Sequence, residues 1–77
     1  MVVSLVEMKV GEEGVVTGIL GGIGATERIQ NMGVRIGKKI KKTEGHPSLG
    51  PQTVKVDKFK VAMGFGMASK VMVEVER

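Results

Sequence analysis

Apolar and polar residues alternate along this chain in short runs, each cut off by glycine, which is the pattern of a small antiparallel β-protein. The first long run is Gly14 to Leu20, with Val16, Gly18 and Leu20 on one face and Val15, Thr17 and Ile19 on the other. Lys38 to Glu44 places Ile40 inward between lysines, and Gln52 to Asp57 places Val54 and Val56 inward. After a turn at Asp57-Lys58, Phe59, Val61 and Met63 continue at a spacing of two, and Val71, Val73 and Val75 close the series. Ser4 stands three residues before Glu7, the spacing of a capping box, and predicts one helical turn carrying Leu5 and Met8 inward. Gly11 to Gly14 reads as a turn. Ala25 to Met32 is the one good helix, with Thr26 as its cap, Ala25, Ile29 and Met32 on one face, and Gly33 as a left-handed stop. Gly45 to Pro51 reads as a loop holding both prolines and the lone histidine, and Met67 to Lys70 as a short helical turn.

About five strands and one short helix follow from this pattern. Short twisted strands in so small a chain must curl to bury one face, and closure removes exposed edges. The expected class is therefore all-β, a single domain over residues 1–77 built as a small SH3-like barrel. That architecture is preferred to an OB-fold because the helix falls between the first and second long strands.

Composition narrows the picture. A chain of 77 residues buries only roughly 60% of its unfolded surface, so self-association is expected to support it. The absence of cysteine excludes disulfides and thiolate metal sites and fits a reducing cytosol. No secretory pattern opens the chain and no long apolar run follows, so a cytoplasmic location is expected, with any membrane contact made through a partner. The net charge of +4 suits an acidic partner.

Candidate chemistry is sparse. Glu44 and His46 offer a carboxylate and an imidazole to ferrous iron or another divalent ion, but a single histidine makes a poor chelate and a loop histidine is ordinarily just solvated. The six methionines occupy inward positions or the chain start and read as core. Gly21-Gly22-Ile23-Gly24 lacks the Gly-Lys-Ser/Thr of a phosphate loop and reads as a bend. Lys38, Lys39, Lys41 and Lys42, joined by Arg35 and by Lys55, Lys58 and Lys60 from neighbouring strands, form either a solvated sheet face or a surface for an acidic partner. The absence of aromatic residues among them weighs against nucleic acid. With one histidine, one aspartate and no cysteine, no catalytic set can be assembled, so no enzyme is expected.

In this order along the chain stand Leu5, Val10-Gly11-Glu12, Val15-Val16, Arg28-Ile29, Met32-Gly33, Ile36-Gly37, Gly50-Pro51, Ala62-Met63, Ala68 and Val73-Glu74. Taken jointly they resemble the FeoA-type domain, the small accessory of ferrous-iron transport. Two departures are Ile36 where the family often has proline, and Gly64 where it often has a basic residue. The resemblance implies a cytoplasmic regulator that contacts the cytosolic region of the GTPase-bearing iron permease FeoB. It requires no cofactor, although weak binding of Fe(II) or another divalent metal is compatible with it. The chain is also similar to the SH3-like C-terminal domain of DtxR-type repressors, so a stand-alone metal sensor and a nucleic-acid-binding barrel remain the alternatives. Partner-binding candidates are Gly22, Arg28, Met32, Arg35, Lys41, His46 and Leu49; Met32 also serves packing, and Arg28 either braces a loop or meets a partner carboxylate.

Overall fold

Residues 1–46 and 49–77 are described in a computed structural model of the chain. Six strands form one antiparallel sheet: β1 (Val2–Ser4), β2 (Glu13–Ile19), β3 (Lys39–His46), β4 (Leu49–Val56), β5 (Phe59–Met63) and β6 (Val71–Val75). Two helices, α1 (Ile23–Asn31) and α2 (Phe65–Ala68), and a 3-10 turn (Leu5–Glu7) complete the chain. The strand order β1-β6-β2-β3-β4-β5 leaves β1 and β5 as unpaired edges, so the sheet wraps one core without closing into a ring.

Period-two alternation decides what the core contains. Val16, Ile40, Val54, Val56, Met63, Val71, Val73 and Val75 point inward and are buried. Leu5, Val6 and Met8 close one side of this core and Ile29 another. Ile29 is the only buried residue of α1. Its burial contributes about 2–3 kcal/mol, and a helix of two turns would not persist in water without such an anchor. Gly33 stops α1 in the left-handed region at φ 99°, as expected of a cap.

Several details depart from the sequence expectations, each for a physical reason. β1 is a sixth strand that a run as short as Val2–Ser4 does not announce; it exists because β6 templates it, Val3 lying opposite Val73. The turn expected at Gly11 to Gly14 ends earlier, because Gly14 is already in β2, facing Ile40 and Val75. A Cβ there would lie 2.5 Å from Val73 Cγ1 and 2.6 Å from the Glu74 carbonyl oxygen, so only glycine fits. The alternation of β2 breaks at a bulge between Val16 and Gly18. Val16 therefore meets Val73 while Ile19 meets Val71, which turns Ile19 toward the core and leaves Leu20 exposed.

The helix begins earlier than expected, with Gly22 as its N-cap; Thr26 lies inside it and its hydroxyl donates to the Gly22 carbonyl at 3.2 Å. Within the stretch expected as a loop over 45–51, β3 runs on to His46 and β4 begins at Leu49, and these two residues pair. Its prolines and glycines masked the strands; Pro47 and Ser48 of that stretch lie outside the described residues. The second helical turn is Phe65–Ala68 rather than 67–70, and Ala68 is buried as expected. At Ser4 the backbone N–H donates to Glu7 Oε1 at 3.1 Å, the reciprocal half of a capping box.

Candidate partner-binding site

The lysine run of β3 divides by parity. Lys39 and Lys41 point outward, whereas Lys42 shares the inward parity of Ile40 and is fully buried. Lys42 Nζ donates to the carbonyl oxygen of Val6 at 2.8 Å and to that of Leu5 at 3.3 Å, the latter also accepting the Met8 backbone N–H that closes the 3-10 turn. The four lysines are thus not one solvated face. Burial pushes the Lys42 ammonium below its usual pKa, against the pull of the nearby Glu12 carboxylate.

Glu12 is held by the other end of the chain. Arg77 donates from Nε to Glu12 Oε2 at 3.0 Å and from Nη2 to Oε1 at 2.9 Å, and Nη2 also reaches the Glu7 carbonyl oxygen at 3.0 Å. This two-pronged contact, together with the Lys9 backbone N–H, lowers the Glu12 pKa to about 2, and the same contact raises that of Arg77. Beside Lys42 lies Gln52, also buried, whose Nε2 donates to the carbonyls of His46 at 2.8 Å and Gly50 at 3.2 Å. Gln52 and Lys42 fill the space where a side chain at residue 45 would stand, so Gly45 is required there and adopts φ 139°.

On the outer face the charges are arranged differently. Glu13, Lys41, Lys55 and Lys60 stand directly opposite one another across β2, β3, β4 and β5. Among the described residues Glu13 pairs with Lys39 at 3.6 Å, while Lys41, Lys55 and Lys60 have no acidic partner. Like charges in direct cross-strand register are unfavourable.

At the outer end of β5 a groove of about 210 Å³ opens between the residues after α1 and the β4–β5 turn. Met32, Val56, Phe59 and Val61 supply its apolar lining, and Arg35 stands at its rim. Lys38 bridges to Asp57 at 2.7 Å across it. Phe59 is 73% exposed, and Asp57 holds the turn at φ 55°. A larger depression of about 550 Å³ is lined by Glu12, Glu13, Glu74, Glu76 and Lys39. Three of its four carboxylates are already engaged, by Arg77, Lys39 and the chain's amino terminus, which leaves the groove at β5 the better docking place.

The residues proposed from sequence fall in different places. Met32 and Arg35 meet in the groove. Gly22 caps the start of α1 and Arg28 lies exposed in its last turn. Lys41 is on the outer face, and Glu44, His46 and Leu49 lie at the far end of the β3–β4 hairpin, all three exposed. Among the described residues no cluster of three or more histidine, aspartate or glutamate side chains is placed to hold a metal ion. Sequence reasoning missed Lys38, Val56, Asp57, Phe59 and Val61 as groove residues. The parity shared by Ile40 and Lys42 was the available signal for the buried lysine.

The sequence profile of the FeoA domain matches residues 3–75. The chain is 39% identical over 66 residues to a protein of Methanocaldococcus jannaschii provisionally named Fe(2+) transport protein A, covering 86% of this chain and 78% of that protein. It superposes on the crystal structure of an iron uptake regulatory protein, FeoA, with a TM-score of 0.91 and 39% identity, covering 99% of this chain and 100% of that one. A manganese-dependent transcriptional repressor shares the fold alone: TM-score 0.86 and 17% identity, covering 97% of this chain and 42% of the repressor. A curled sheet of six strands, with residues 3–75 matched along nearly their whole length, identifies the chain as a member of the FeoA domain family.

Proposed function

We propose that this protein is a cytoplasmic accessory of ferrous-iron transport that acts by contact with the cytosolic region of a FeoB-type permease. The observation that carries the proposal is the match to the FeoA domain over residues 3–75. The chemistry of the surface supports it. An apolar groove with Arg35 at its rim and a row of unpaired lysines beside it suits a protein partner bearing acidic and apolar side chains. Function here is binding rather than catalysis, and no helix among the described residues is long and apolar enough to cross a membrane.

The test is a titration of isotope-labelled protein with the purified cytosolic GTPase region of the cognate permease, followed through amide shifts in GDP-like and GTP-like states. Shifts centred on residues 32–38 and 56–61 are expected. Charge reversal at Arg35 should weaken them without unfolding the protein. A flat titration in both states would detach the protein from that region of the permease.

A further inference from the structure

The edge strand β5 is set apart from the other edge, β1, by its length and by the chemistry of its two faces. It is longer, five residues against three, and short edges are one means of preventing unwanted pairing. Among the described residues, 59–63 make no backbone hydrogen bond outside the pairing with β4, so one row of N–H and C=O groups is available along the outer side. The two faces flanking that row also have opposite chemistry. On the core-facing side Phe59 and Val61 open into the apolar groove. On the outward side stands Lys60, the last member of the Lys41–Lys55–Lys60 row.

The row is capped by an acid at one end only. Glu13 on β2 faces Lys41, while on the open side of the edge strand no strand among the described residues lies beyond Lys60. Residues of an added strand would alternate between the two faces by the geometry of the pleat. A residue opposite Lys60 would meet three lysines in line, while its neighbours would point toward Phe59, Val61 and the groove.

We infer that the edge of β5 receives an extended segment of a partner protein in which acidic and apolar residues alternate, added to the sheet as a seventh strand. Main-chain hydrogen bonds would supply affinity, and the two unlike faces would supply selectivity and register. A second copy of this chain is a poorer occupant, because two β5 edges would bring Lys58 and Lys60 of both copies together. This inference rests on the partner-binding function proposed above and specifies its geometry.

The probe is a capped synthetic hexapeptide of alternating valine and glutamate, titrated into isotope-labelled full-length protein. The expected result is amide shifts over residues 59–63 with slowed hydrogen exchange at alternate residues of β5. A valine–lysine peptide should not bind, and Lys60→Glu should weaken the glutamate peptide about tenfold or more while admitting the lysine peptide. Circular dichroism of the variant checks that it remains folded. Absence of shifts at about 1 mM peptide would overturn the inference. So would shifts confined to the lysine face with β5 exchange unchanged, or tighter capture of a short RNA by the same lysines, since neither adds a strand. If the permease region binds while the peptide does not, strand addition at β5 fails and the accessory function survives.

Discussion

Around the 3-10 turn, charge is taken inside and answered: Lys42 gives its protons to the carbonyls of Leu5 and Val6, and Glu12 is clasped by Arg77. On the outside of the same sheet Lys41, Lys55 and Lys60 stand in line, and among the described residues none of them is in an ion pair, since the Glu13 that faces Lys41 bridges to Lys39. Lys41 and Lys42 are chain neighbours, so alternation alone sends one to each region. The difference separates two uses of the same side chain. A lysine whose ammonium finds partners within the fold is part of the architecture. A lysine held in a repulsive row costs stability, and that cost is understandable where the missing charge arrives on another molecule.

The largest expected effect comes from breaking the inner region. Lys42→Ala removes a buried stem and the ammonium donor of the Val6 carbonyl, and should cost about 3 kcal/mol in urea unfolding. An unchanged midpoint would mean that the ammonium is not structural. Lys42→Met keeps the volume and isolates the hydrogen bonds from the packing, so it should fall between the two.

The acid limb of stability comes next. Because the folded pKa of Glu12 lies near 2, below its ordinary value of 4.5, the contact stabilises the fold above pH 4.5 and is lost as pH falls from there toward 2. Arg77→Ala should flatten this part of the pH–stability profile, measured as thermal midpoint against pH. A wild-type slope in the variant would assign the acid sensitivity to other groups. At the alkaline end the sign is opposite. The buried ammonium of Lys42 is disfavoured, so its contribution to stability should improve as pH rises through its lowered pKa toward 10.5, and Lys42→Met should lack that rise.

The smallest effect should come from the outer row. Lys55→Glu places an acid between Lys41 and Lys60, and should raise stability by about 0.2–1 kcal/mol, with less gain at high salt. A loss of stability would show that the row is not under repulsion. The same variant should bind the cytosolic permease region less well, which would sharpen the contrast between a folding charge and a binding charge.

Much of the architecture was legible in the sequence. Period-two alternation placed Ile40, Val54, Val56 and the three valines of β6, because one buried face of a sheet imposes that period. What escaped detection depends on pairing rather than on local pattern. β1 exists only against β6, and the ends of β3 and β4 that pair at His46 and Leu49 hide behind residues with weak strand preference. The groove could not be anticipated, because residues 32–38 and 56–61 meet only after β3 and β4 have brought them together. Lys42 was hidden by chemistry: four lysines around one isoleucine look solvated unless alternation is allowed to overrule polarity.

The bulge in β2 has a consequence for how this strand tolerates change over time. Val16 and Ile19 serve the same side of the sheet although three positions separate them, so the strand is two half-strands in opposite phase, joined at Thr17. Substitutions before the joint should be accepted at odd positions, while beyond it the accepting position becomes Leu20, an even one. Losing one residue at the joint would bring the halves back into phase, with Ile19 still inward and Leu20 still outward but no bulge between them. A homologue one residue shorter here would carry its apolar side chains in a different cadence while keeping the same fold.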